Sequence, residues 1–447
     1  MTQVIEHSDA RPAAFERFQA NAERILIAAG MLVYIFVLRH VITSDGNQRY
    51  AALEDLILNH KIRDTKYSLI QPLASLPLWF LGKLGGDPRA VVALFNTLVF
   101  VAGLGAVYLL LRNRVDGGLL RKFLLLLIAA SMFTQHVRQY MGEPFTAVLV
   151  LVGLAALAAN RGVLGSASLV AGVANTPAAV GGLFLGLLPR AWRQRRWYVA
   201  VIPAIAVALL VGLEFYLKRD SFFNTGYQDD RGAVTVLPYS GQPGFSYPFF
   251  LGVLSILFSF GKGLVFFAPG LLLLFAKPSM QLSEPVAFLK RSSLLFVAGL
   301  ILVYAKWWSW YGGWSWGPRY FLFASVPAAL LLAIHLSDRK ATVKMRIVTL
   351  AILAWSVWVA IDGAVFGLFG VAVGKRGDYA LEFLTWYVPE YSVLFRPFVR
   401  MKWLDWWETL AVGYFVVAGL CLALPFGADL GGRAFRAVKR LRSRPAA

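Results

Sequence analysis

The chain has 447 residues, 58% of them hydrophobic and only 15% charged, where a soluble protein of this size carries about 25%. That balance excludes an ordinary soluble enzyme. The net charge of +20 sits in short clusters between apolar runs, which excludes nucleic acid as the partner and points to the charge bias of a membrane protein.

Residues 1–24 are polar, and the apolar run from Ile25 to Ile42 ends around Arg39-His40 with no small-residue cleavage pattern. It reads as an uncleaved first span. Further spans are expected at 90–111, 122–136, 144–160, 198–217, 264–276, 294–308, 320–336, 346–367 and 408–427. Residues 165–188 carry Asn175-Thr176-Pro177 between basic flanks and predict a broken hairpin rather than one span. Residues 247–260 are too short to cross and read as re-entrant, which is tolerated at membrane depth only inside protein or along a cavity. The expectation is an all-α polytopic membrane protein. It forms one domain over 1–447, a bundle of about 11–13 transmembrane and re-entrant helices.

With the N-terminus inside, the cytoplasmic pieces are 1–24, 112–122, 160–164, 189–197, 277–293, 337–346 and the basic tail 428–447. These hold 25 Lys and Arg against 8 Asp and Glu, and the opposite side holds 19 against 16. The asymmetry puts both termini in the cytoplasm. Outer loops then fall at 43–89, 218–246, 306–319 and 369–407, and the first holds two surface helices, Tyr50 to Leu58 and Pro72 to Leu84. The inner loops are short and basic, fit for anionic lipid, so any chemistry is expected outside. Cys421 is the lone cysteine, so no disulfide within the chain orders those loops.

Asp45 follows the first span by three residues, at the boundary between membrane and water, where desolvation moves an acid toward the range of a general base. An N-cap for the next helix accounts for it equally well. Glu143, ahead of Pro144 and beside Arg138, starts the fourth span on the same side; it reads either as a helix cap or as half of an acid pair. Arg319 closes Lys306-Trp307-Trp308-Ser309-Trp310-Tyr311-Gly312-Gly313-Trp314-Ser315-Trp316-Gly317-Pro318-Arg319. An interfacial aromatic belt explains the Trp and Tyr residues. It does not explain the glycines and the proline, which aim one guanidinium suited to phosphate. Lys262, between glycines, is a second candidate phosphate cation, unless it merely snorkels. Lys306, Arg138 and Trp316 are further candidate substrate-binding residues. Asn224 and Tyr227, in a loop of aromatics and short polar residues, suit a sugar as well as a turn. The five histidines are scattered, and no metal cluster, phosphate-binding loop or dinucleotide fingerprint is present, so neither a metal nor a cofactor is indicated.

The layout, together with Ser44 to Tyr50, Gly142-Glu143-Pro144, Phe223 to Tyr227 and Trp310 to Tyr320, resembles the GT-C superfamily of polyprenyl-phosphate-sugar glycosyltransferases. The nearest branches are the protein O-mannosyltransferase-like and lipid A aminoarabinose transferase-like ones. The resemblance implies a multi-pass protein of the bacterial inner membrane with a periplasmic site. It implies that Asp45 is the catalytic base and Glu143 the second acid. Its partners would be a polyprenyl-monophosphate sugar, a lipid, glycan or protein acceptor, and membrane lipids. Asp45 is followed by Gly46 where many relatives have Glu, and no soluble outer domain follows the last span. Two other readings share the apolar bulk: a lipid or glycan transporter, and a non-catalytic lipid-binding envelope protein. Internal repeats, which a transporter often shows, are absent from the sequence.

Overall fold

The computed structural model describes residues 13–442, and side chains as far as 427. The first part of the expected cytoplasmic N-terminus and the side chains of the basic tail lie outside the described residues. Among the described residues there is no β-strand, and seven helices are long and apolar enough to cross a membrane.

The chain opens with α1 (Ala13–Leu32), which continues as a π-helical turn to Val37. It takes in the twelve residues before the expected span, and polar residues within that stretch have partners. Glu23 is fully buried and pairs with Arg121 at 2.8 Å and Lys122 at 3.3 Å. The loop over 43–89 folds into α2 (Asp45–Leu58), α3 (Ile70–Ala74) and α4 (Leu76–Gly85), close to the expected surface helices. Then follow α5 (Pro88–Ala93), α6 (Phe95–Leu111), α7 (Gly117–Ala129) and α8 (Phe133–His136). Helix α7 is buried at every position from Phe123 to Ala129, so it is a core helix enclosed by the others.

Helices α9 (Gly142–Ala158), α10 (Gly162–Asn175) and α11 (Val180–Gln194) come next. The last two are the broken hairpin, turning at Asn175-Thr176-Pro177 as the sequence predicts. Helix α12 (Tyr198–Arg219) is long and apolar enough to cross a membrane and leaves many apolar side chains exposed, and α13 (Phe249–Phe258) is a short apolar helix within the stretch expected to be re-entrant. The expected span at 264–276 is instead α14 (Leu264–Phe267) and a 3-10 stretch over Pro269–Phe275. It is too short to cross, and its Gly270 sits where a Cβ would stand 2.3 Å from the Ala328 carbonyl oxygen. This stretch packs inward instead of spanning.

The remaining candidate spans are α15 (Glu284–Tyr304), α16 (Ser325–Ser337) with the 3-10 stretch Arg319–Ala324 that leads into it, and α17 (Val343–Ile361). After the short turns α18 (Leu384–Tyr387) and α19 (Arg396–Val399), α20 (Trp406–Arg442) closes the bundle. Small residues set one close helix crossing: a Cβ on Gly299 of α15 would lie 2.4 Å from the Gly181 carbonyl oxygen of α11. Such contacts let backbones approach where no hydrophobic drive exists between spans. They also place α11, α12 and α15 around one cavity.

Candidate active site

The two acids are brought together by backbone pairing. The segment after α1 docks on the segment before α9: the Val41 amide donates to the Arg138 carbonyl at 2.9 Å and the Tyr140 amide to the Val41 carbonyl at 3.2 Å. The bridge between Val41 and Gln139 is parallel. Asp45 lies four residues beyond one of its members and Glu143 four beyond the other, so both side chains emerge at the same level. Three buried amides secure the second segment. Asn96 donates to the Gln139 and Met141 carbonyls at 2.6 and 2.8 Å, Gln71 to Met141 at 2.9 Å, and Asn175 to Gly142 at 3.0 Å.

Ser44 sits at φ +48°, outside the usual range for its residue type, a strain worth about 1–3 kcal/mol that clusters at functional positions. It turns the chain sharply into α2, so that Asp45 heads the helix. Gly46 has a steric reason to lack a side chain: a Cβ there would stand 2.5 Å from the Tyr140 carbonyl oxygen. The departure from an acidic pair is thus explained by the close approach of the α9 leader. Gly46→Ala is expected to displace Asp45 and cut turnover about 100-fold with the fold intact, checked by turnover alongside a thermal melt.

Arg319 enters from the opposite side. Its guanidinium meets Asp45 at 2.7 Å and Glu143 at 3.5 Å, with the arginine side chain 10% exposed and the acids 20% and 15%. Burial raises the Asp45 carboxyl, but Arg319 and a hydrogen bond from the Tyr67 hydroxyl outweigh it and hold the group below its ordinary value. The same contact, with burial as the larger cause, pushes the Tyr67 phenol well above its usual range. Asp45 is therefore ionised, paired and hydrogen-bonded.

These groups line a cavity of about 390 Å³. Its polar end adds Arg49, Lys66, Tyr67, Glu214 and Tyr227, and its apolar end is walled by Val211, Phe215 and Val303. The wall reaches the exterior at Val180, 36% exposed, and Phe245, 59% exposed. Arg49 lies one turn after Asp45 on α2 and donates to the Ser68 carbonyl at 3.1 Å. A Cβ on Gly142 would strike its guanidinium at 2.4 Å. Lys66 pairs with Asp230 at 2.7 Å and lies 5.1 Å from the centre of the Tyr227 ring. Glu214 and Lys218 of α12 staple the loop carrying these residues. Glu214 accepts from the Ser68 hydroxyl at 2.9 Å and the Leu69 amide at 2.8 Å, and Lys218 donates to the Tyr67 carbonyl at 2.6 Å.

Of the residues singled out from sequence, Asp45, Glu143, Arg319 and Tyr227 line the cavity. The others lie elsewhere. Lys262 is buried beneath the Trp/Gly turn and donates to the carbonyls of Ser315, Gly317 and Gly313 at 2.6, 3.1 and 3.3 Å. It holds the turn that aims Arg319 and does not line the cavity. Arg138 donates to the Arg39 and Ala364 carbonyls. Trp316 is buried in the core, its indole N–H donating to Asp362 at 2.6 Å. Lys306 is exposed, and Asn224 lines a neighbouring groove, its side-chain oxygen accepting from the Gly226 amide at 3.1 Å. Lys262→Met leaves three carbonyls without their donor and is expected to destabilise the fold by on the order of 3 kcal/mol, read as a lowered melting temperature.

Arg49, Lys66, Tyr67 and Glu214 are cavity residues that the sequence did not single out. Glu214 left a signal, an acid inside an apolar span. Fold and site together define a polytopic α-helical membrane protein with a charged cavity at one end and an apolar opening between its spans. No family model matches the chain, and no curated protein matches its sequence. Among solved structures it is similar to ArnT from Cupriavidus metallidurans bound to undecaprenyl phosphate, with TM-score 0.50, 15% identity, and 90% of this chain and 76% of that one covered. It is also similar to the apo state of the same protein, with TM-score 0.52, 14% identity, and 92% and 77% covered. The chain shares its overall fold with these two structures.

Proposed function

We propose that this chain is an inverting glycosyltransferase that moves a sugar from a polyprenyl-monophosphate donor to an acceptor hydroxyl on the periplasmic face. One observation carries the reading: Asp45 and Glu143 converge on Arg319 in a cavity whose other end opens through apolar residues between spans. Apolar residues at that opening suit a polyprenyl chain, and ArnT, which shares the fold, has been crystallised bound to undecaprenyl phosphate.

In this mechanism Asp45 takes the proton of the acceptor hydroxyl as its oxygen attacks the anomeric carbon from the face opposite the phosphate. The bond between that carbon and the phosphate oxygen breaks, and polyprenyl phosphate leaves carrying one more negative charge. Arg319, Arg49 and Lys66 are the cations placed to stabilise that charge. Glu143 shares Arg319 with Asp45 and keeps the guanidinium oriented. A donor phosphate competes with both acids for Arg319. Drawing Arg319 away removes the main influence lowering the Asp45 carboxyl, so donor binding makes Asp45 a stronger base.

The pH profile follows from that sign. The carboxyl of the folded protein lies below its ordinary value of 3.8, so the stability it contributes is present above that value. It is lost as pH falls through the lowered one. The acid limb of kcat/KM, which reports the free enzyme, is expected below the usual carboxylate range. The limb of kcat, which reports the donor complex, is expected at higher pH. The donor site itself is tested by melting the purified chain with undecaprenyl phosphate. A raised melting temperature that shrinks in Arg49→Ala and Lys66→Ala supports the reading. A melt unmoved by the lipid counts against it.

A further inference from the structure

We propose, resting on the transferase reading above, that the acceptor is a hydrophilic, uncharged or amine-bearing glycan. It reaches Asp45 along a polar groove between the first and second loops of the Asp45 face. Asp45, Lys66 and Tyr67 line two cavities at once. One is the 390 Å³ cavity with the apolar opening. The other is a vestibule of about 500 Å³ lined further by Ser44, Gln48, Thr65 and Asp64. The vestibule shares Asp64, Arg219 and Gly226 with a groove of about 900 Å³ beyond the end of α12. The three spaces are therefore neighbours with shared walls, and Asp45 lines both the inner cavity and the vestibule.

The inner cavity and the groove differ in chemistry. The inner cavity lies between spans and is walled by aliphatic residues. The groove lies past Arg219, where α12 ends, and presents Asp64, Asn224, Gln228 and Asp229. These are the carboxylates and amides that bond to sugar hydroxyls in both senses, accepting and donating. Phe223 is 91% exposed at its edge, an aromatic face free to stack on a sugar ring. The two cations of the groove are each matched by a carboxylate: Arg219 pairs with Asp64 at 2.7 Å and Lys218 with Glu214 at 2.5 Å. Asp229 adds negative charge, so a phosphorylated acceptor is disfavoured and a lipid acceptor meets no apolar wall.

The test uses the full chain in lipid nanodiscs, a radiolabelled polyprenyl-phosphate sugar, and a crude envelope fraction as acceptor. Label is followed into the water-soluble protease-resistant phase, the organic phase and the protease-sensitive fraction. The proposal expects label in the first. It also expects Phe223→Ala and Asp229→Asn each to raise the acceptor KM about tenfold without changing the donor KM. Label in the organic or protease-sensitive fraction overturns the glycan assignment while leaving the transferase reading standing. An acceptor KM unmoved in both variants overturns the groove. Label that never leaves the donor defeats the transferase reading itself, and the groove proposal with it.

Discussion

Replacing Asp45 with asparagine is expected to abolish transfer while the fold remains. The substitution keeps the shape of the side chain and an oxygen that accepts from Tyr67 and Arg319, so the contacts at 2.7 Å and around it lose charge but not partners. Arg319 retains Glu143. What disappears is the proton acceptor, and a positioned base contributes about 10²–10⁴-fold to such reactions. Turnover should fall by that factor with a melting temperature close to that of the parent chain. Turnover retained in Asp45→Asn with a native donor would remove the base assignment.

Arg319→Gln is expected to damage both rate and fold, and for separate reasons. The rate loses its best-placed stabiliser of the departing phosphate, worth about 10²–10³-fold. The fold loses the shared counter-ion of two carboxylates that are only 20% and 15% exposed. Removing one partner from a buried ionic group costs on the order of 3 kcal/mol. The two effects separate in a double variant, Arg319→Gln with Glu143→Gln, which leaves one carboxylate in place of two. Its melting temperature should recover while turnover stays low. Recovery of turnover in the double variant would mean that Arg319 serves the fold alone.

Much of this layout is legible without coordinates, and the exceptions have physical causes. The hairpin at 165–188 is readable because a proline breaks the helix between two basic flanks. The stretch 264–276 misleads because hydropathy alone does not distinguish a span from an apolar 3-10 segment packed inward. Asp45 and Glu143 announce themselves as acids at the ends of apolar runs. Their shared level depends on the pairing of Val41 with Gln139, which carries no sequence period. A cation between glycines reads alike whether it meets phosphate or carbonyl groups, so Lys262 draws attention for the wrong role. Lys66 and Tyr67 become cavity residues only because Glu214 and Lys218 tie their loop down, through bonds that join positions 146 and 151 residues apart.

The proposed reaction transfers a sugar from polyprenyl phosphate with Asp45 as the base. Release of free polyprenyl phosphate from a polyprenyl-monophosphate sugar measures it directly, with the purified chain in nanodiscs and an envelope fraction supplying acceptor. The parent chain is predicted to release the lipid phosphate in proportion to sugar transferred, and Asp45→Asn to release none above background. Equal release by the two chains, or none by either, would rule out Asp45-dependent transfer from this donor.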